Sequence, residues 1–176
     1  MNKGFLDSAI RRVPDFPRPG ILFYDITGVL GEPKAFRFCI DELCALTQSS
    51  GAEAIAAIEA RGFIFAAPVA ERCGLPLILA RKKGKLPGET VSRSFALEYG
   101  EDLVEIQKLE LAKPRRIIII DDLIATGGTI DAVAKLFREH KSEITAAAAV
   151  VGLPFLGYND VLKGIPVHTL VNYESE

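Results

Sequence analysis

The 176-residue chain is 49% hydrophobic and 25% charged, with a formal net charge of −2, the balance of one soluble domain large enough for a real core. No polybasic run marks a nucleic-acid partner, and the apolar stretch from Ile144 to Tyr158, broken by Gly152, Pro154 and Gly157, is too short to span a membrane. Cys39, Cys44 and Cys73 lack metal-ligand spacing and the first residues lack a signal-peptide core, so a cytoplasmic single domain over 1–176 with reduced thiols is expected.

Residues 4 to 12 have the spacing of a short amphipathic helix. Pro14, Pro17, Pro19 and Gly20 then forbid continuous helix and impose an extended entry into Ile21-Leu22-Phe23-Tyr24-Asp25-Ile26-Thr27. That entry suits either a flap over a flat ligand or an edge strand packing its own core. Pro33 opens a helix to about Gln48, with Phe36, Ile40 and Leu43 on one face. Ala54 to Ile58 forms a buried strand ending on Glu59-Ala60-Arg61-Gly62, and a helix from about Phe63 to Cys73 follows, stopped by Gly74. A strand, an Arg-Gly pair and a helix N-terminus fit an anion site or an ordinary surface turn.

Leu77 to Ala80 is a third strand, leading into Arg81-Lys82-Lys83-Gly84-Lys85-Leu86-Pro87-Gly88. Such a basic stretch is a solvated loop or a lid that meets polyphosphate. Val91 to Leu97 and Leu103 to Gln107 alternate as an exposed hairpin around Glu98-Tyr99-Gly100, where Glu98 taken alone is a solvated charge.

Ile117 to Ile120 predict a central parallel strand buried on both faces and stopping at Asp121 and Asp122. Ala125-Thr126-Gly127-Gly128-Thr129 follows, then a helix whose Ile130, Val133, Ala134 and Phe137 form one stripe. Backbone N–H groups, hydroxyls and the helix dipole favour a phosphate in this loop, whereas the adjacent carboxylates repel anions and need donors or a metal. A ribose 5-phosphate meets both demands: its phosphate enters the loop and its 2- and 3-hydroxyls donate to Asp121 and Asp122. Capping acids before a glycine turn are the plainer alternative. Glu143 to Val151 and Val167 to Val171 supply two more strands, and His140 and His168 have no catalytic or zinc spacing. The dinucleotide fingerprint, the Walker loop and the nucleophile elbow are all missing.

The stretch Asp121-Asp122-Leu-Ile-Ala-Thr-Gly-Gly-Thr129 resembles the phosphoribosyl-pyrophosphate (PRPP) signature of type I phosphoribosyltransferases, in the form of the adenine-specific branch. Three further segments follow that family's order: the Phe-Pro-x-x-Gly-Ile-x-Phe-x-Asp-Ile segment, Ala60-Arg61-Gly62, and the basic loop with Ser-x-x-Leu-Glu-Tyr-Gly. The resemblance implies an α/β fold with a mainly parallel sheet flanked by helices, an N-terminal hood over about 1–32 and a flexible catalytic loop over about 81–107.

It also implies roles. Asp121, Asp122, Ala125, Thr126, Gly127, Gly128 and Thr129 would bind the ribose phosphate, and Ala60, Arg61 and Gly62, commonly through a cis peptide, would grip pyrophosphate with Arg81 and Lys85. Phe23 would stack on the base while backbone groups around Leu22 to Tyr24 read its edge; relatives often carry Arg at the position of Tyr24. Glu98 would be the catalytic acid/base, with Tyr99 and Arg61 assisting. Adenine and PRPP would give AMP and pyrophosphate, with Mg²⁺ carried mainly by the substrate rather than by protein ligands, in a homodimer. In 6-oxopurine enzymes a lysine follows the PRPP helix, but Ala149 to Leu153 offers no cation. Transfer to another purine, or a PRPP-binding regulator without catalysis, are the competing expectations.

Overall fold

The computed structural model describes residues 3–96 and 101–175. Seven strands form one sheet in the order β5-β6-β4-β3-β7-β8-β9. Its parallel part comprises β3 (Ala54–Ile58), β4 (Leu77–Lys82), β7 (Arg116–Ile124), β8 (Glu143–Gly152) and β9 (Val167–Asn172). The hairpin of β5 (Thr90–Ala96) and β6 (Glu101–Gln107) joins the β4 edge antiparallel. This is the mainly parallel α/β sheet that the alternating strand and helix signals predict.

Strand periodicity divides the interior into two layers. Ile55, Ala57, Ile118 and Ile120 pack with Ile40 and Leu43 of α3 (Pro33–Ser49) and Phe65 and Val69 of α4 (Gly62–Cys73). Ala54, Ala56, Ile117 and Ile119 face the other way, against Ile130, Val133 and Phe137 of α6 (Gly128–Glu139). Pro33 and Gly74 bound their helices as expected, with Gly74 in the left-handed conformation at φ 65°. No helix among the described residues is long and apolar enough to cross a membrane.

The N-terminal segment departs from its local pattern. Helix α1 ends at Ala9 (Lys3–Ala9), and β1 (Arg11–Pro14) pairs antiparallel with β2 (Leu22–Asp25) in a separate ribbon. Helical spacing over 10–12 loses to this pairing, and Pro14 sits at the ribbon's end, where its missing N–H is tolerated. Helix α2 (Thr27–Gly31), α5 (Lys108–Leu111) and α7 (Tyr158–Val161) are short elements without a sequence signal of their own. Two strands outrun their predicted ends: β4 takes in Arg81 and Lys82, which pair with Glu105 and Val104, and β7 continues through Asp121 and Asp122 to Ile124. The second extension follows from β8, whose Ala149, Val151 and Gly152 pair with Asp121, Leu123 and Ile124.

Candidate active site

Parallel strands β3, β4 and β7 end at the same edge, where the chain must leave the sheet and open a crevice. A cleft of about 340 Å³ occupies that edge, lined by residues including Ala60, Arg61, Arg81, Asp121, Asp122 and Thr129. A smaller concavity of about 100 Å³, lined by Asp121 and residues 123–130, adjoins it. Segments distant in sequence therefore meet because each follows or ends a strand of one sheet.

Gly127 stands at the N-cap of α6 with φ 81°, and no side chain caps the helix. Its first N–H groups are thus left to whatever enters the 125–129 loop. The left-handed backbone angle at Gly127 favours glycine, and a Cβ there would lie 3.1 Å from both Tyr158 Cβ and Leu162 Cγ, which leaves little room for a side chain. At Gly62 the reason is approach: an added Cβ would sit 2.9 Å from Asp121 Oδ1 and 3.0 Å from Asp121 Cα. That absence of a side chain lets the N-terminus of α4 press against β7 at Ile120 and Asp121. The Glu59–Ala60 peptide immediately before it is cis.

Asp122 is 5% exposed. Its backbone N–H donates to Asp121 Oδ1 at 2.8 Å, and its Oδ2 lies 2.7 Å from Arg61 Nε in an ion pair. The pair lacks hydrogen-bond alignment, leaving buried Asp122 Oδ2 without a hydrogen-bond partner among the described residues. Burial pushes the Asp121 carboxyl well above the ordinary aspartate range, and the neighbouring Asp122 charge pushes it further. Burial also raises Asp122, against the opposing pull of the Arg61 guanidinium.

Three cations face the cleft, each beside a carboxylate: Arg61 with Asp122, Arg81 with Glu59 at 2.5 Å, and Lys82 with Asp102 at 2.7 Å. The hydrogen bond between the last two raises the Lys82 pKa and lowers that of Asp102. Arg81 also donates from Nη1 to the Lys85 carbonyl at 2.9 Å, while Gly84 N–H donates to Glu105 Oε2 at 3.0 Å. The turn after β4 is thereby tied to β3 and β6, and the Lys85 side chain is exposed. A polyanion entering here would meet cations already placed by partners it can displace.

The β1–β2 ribbon approaches from the Arg61 side. Phe23 meets Phe16 edge-on at 5.0 Å, and the Arg61 guanidinium carbon lies 5.6 Å from the Phe23 ring centroid. Tyr24 points the opposite way and is 4% exposed, and Leu22 packs against the core. Most of the anticipated residues converge, but Glu98 and Tyr99 lie outside the described residues. Sequence reasoning assigned no role to Glu59, Lys82 or Asp102; a charge at each strand end was the available signal, and only strand adjacency reveals the pairs.

A family model described as phosphoribosyl transferase domain matches residues 44–155. The adenine phosphoribosyltransferase of Treponema denticola is 53% identical over 176 residues, covering 100% of this chain and 93% of that protein. The crystal structure of the adenine phosphoribosyltransferase of Thermoanaerobacter pseudethanolicus superposes with a TM-score of 0.93 at 41% identity, covering 98% of this chain and 100% of that one. The Saccharomyces cerevisiae enzyme, crystallised with an imino-altritol bisphosphate and adenine, gives 0.90 at 34% identity, with 96% of this chain and 98% of that one covered.

Proposed function

The chain belongs to the phosphoribosyltransferase family, among its adenine-specific members, and from that premise we propose that it joins adenine N9 to C1 of PRPP, releasing pyrophosphate and forming AMP for purine salvage. One observation carries the site assignment: Asp121 and Asp122 line one cleft with Arg61 and Thr129, beside the helix N-terminus that no side chain caps. Carboxylate acceptors next to free N–H donors match the hydroxyls and the phosphate of one sugar phosphate.

Breaking the C1–O bond leaves an oxocarbenium-like centre, so the ribose must be held still while charge grows on the leaving pyrophosphate. Asp121 and Asp122 accept from the 2- and 3-hydroxyls, and the 125–129 loop anchors the 5-phosphate. Arg61 and Arg81, with Lys85 brought in by closure of the basic loop, bind the pyrophosphate beside the backbone of Ala60 and Gly62. Phe23 stacks on the base, and backbone groups from Leu22 to Tyr24 read its edge. Glu98, with Tyr99 beside it, accepts the proton that leaves the base N7 as N9 attacks C1. Loop closure excludes water that would otherwise attack C1. Among the described residues no cluster of side chains forms a metal site of its own, so Mg²⁺ would be carried mainly by PRPP and would there offset charge on the leaving pyrophosphate. The working unit is a homodimer in the cytoplasm, as the family resemblance implies, and the three free cysteines agree with a reducing compartment.

The test is pyrophosphate release with PRPP and Mg²⁺, offering adenine, hypoxanthine, guanine and xanthine separately. Adenine is expected to exceed the others by about 10²-fold or more in kcat/KM, since a wrong base leaves buried polar groups unpaired. Faster turnover of another base would overturn the base assignment, and saturable PRPP binding without turnover would make the protein a regulator.

A further inference from the structure

The ribbon that carries Phe23 is held from behind by a residue far along the chain. Its register pairs Arg12 with Tyr24 and Val13 with Phe23. Directly opposed residues share a face, so Arg12 and Tyr24 lie on one side and Phe23 on the other. Tyr173, the residue after β9, meets that first side twice. Its ring stacks on Tyr24 with centroids 3.9 Å apart and planes 9° from parallel, and the Arg12 guanidinium carbon lies 5.1 Å from the Tyr173 centroid.

The hydroxyl end is fixed as well. Tyr173 donates to Asp7 Oδ1 at 2.6 Å, and Arg12 Nη2 donates to the same oxygen at 2.9 Å. Burial and the Asp7 contact raise the Tyr173 pKa, so the hydroxyl stays protonated and remains a donor across the working range. One ring thus joins α1, both strands of the ribbon and the end of the main sheet. Strand β1 is exposed at all four positions and is otherwise held by its pairing with β2 and by Arg11, which donates to Thr27 and lies 3.7 Å from Asp25.

We infer that Tyr173 is a positioning residue for the purine base. It rests on the proposed contact between Phe23 and adenine: Tyr24 and Phe23 are adjacent on β2, so the stack that fixes Tyr24 sets the height and tilt of the Phe23 ring. Tyr173 touches neither the base nor the ribose site. Its effect is therefore confined to the base half of the reaction.

Tyr173→Ala and Tyr173→Phe separate the ring from its hydroxyl. Steady-state KM is measured for adenine and PRPP independently, alongside equilibrium adenine binding and amide hydrogen exchange over residues 11–25 and 117–124. In Tyr173→Ala the adenine KM is expected to rise about tenfold, as for a misplaced stacking platform, with the PRPP KM within about twofold of wild type. Exchange quickens in 11–25 and not in 117–124. Tyr173→Phe, which keeps the ring, recovers most of the adenine KM. An unchanged adenine KM, or a PRPP KM that rises in step with it, overturns the inference. Should wild type prefer another purine, the base assignment falls and the same KM comparison with that purine judges the anchor. If wild type turns over no base, the proposed reaction falls, and adenine binding to wild type against Tyr173→Ala decides, equal affinity overturning the anchor.

Discussion

The carboxyl edge of β3 and β7 and the β1–β2 ribbon both reach the Arg61 side chain, one through Asp122 and the other through Phe23, yet they are held by different means. Ile118 and Ile120 are fully buried, and β7 is paired along both edges, with β3 and β8. The ribbon is two strands with no further strand beside them among the described residues, an arrangement that is marginal without packing from elsewhere. Its support comes from Leu22, packed on the core, and from Tyr24, stacked on Tyr173 and donating to the Ser175 carbonyl. The proposed ribose half is thus fixed by the core, so substitutions there alter chemistry without moving backbone. The proposed base half is fixed by a few side chains, so substitutions there alter placement, and a part that must admit and release a flat ligand is built at the less stable end of the molecule.

The largest expected effect tests the ribose half. Asp121→Ala/Asp122→Ala removes two charged acceptors, each contributing about 1.5–3 kcal/mol to a hydrogen bond, so kcat/KM should fall by about 10² to 10⁴. PRPP binding, followed by calorimetry, should weaken with it. Undiminished PRPP affinity would show that the carboxylates do not hold the ribose. The base half gives a smaller and more selective loss. Phe23→Ala should raise the adenine KM by about tenfold, because a stacking platform contributes about 1–3 kcal/mol per base, while the KM for PRPP stays near wild type. If both constants rose together, the two halves would be one mechanical unit and the contrast between them would fail.

Which parts were legible in the sequence follows the same division. The isoleucine run, the glycines at 127 and 128 and the stripe of α6 announced strand, loop and helix, because burial on both faces and a 3.6-residue period leave local marks. The continuation of β7 past Asp121 was hidden: a pair of carboxylates looks like a strand end, and only pairing with Ala149 and Val151 of β8 carries it on. The Arg61–Asp122 ion pair joins the N-cap of α4 to a residue of β7 far along the chain, so no spacing encodes it. In the ribbon, Arg11 and Arg12 fit the helical pattern read over residues 4 to 12, and pairing with β2 overrides it. Phe23 and Tyr24 were both visible as aromatics, but which one faces Arg61 depends on the register of two strands and on Tyr173, which lies 149 residues beyond Tyr24.

The smallest effect is on stability and has the opposite sign from the loss of activity. Burial and the Asp122 charge raise the Asp121 pKa above its ordinary value of 3.8, so the folded protein binds its proton more tightly than the unfolded chain does. With more protons bound in the folded state, stability falls as pH rises from that ordinary value through the raised one, and at neutral pH the ionised carboxylate is a net cost. Asp121→Asn removes the charge and keeps an oxygen for the Asp122 N–H. It should raise stability by on the order of 1 kcal/mol, or about 2–4 °C in Tm at this chain length, while turnover falls. The gain should be full above the raised pKa and shrink as pH approaches 3.8, below which the wild-type carboxyl is protonated in both states. Asp122→Asn should gain less, because Arg61 already offsets the burial of that carboxylate. Thermal melts of the two variants at neutral and acid pH check both statements: a Tm for Asp121→Asn below wild type at neutral pH would mean that the ionised pair stabilises the edge of the sheet, and the ribose half would then owe its rigidity to charge as well as to the core.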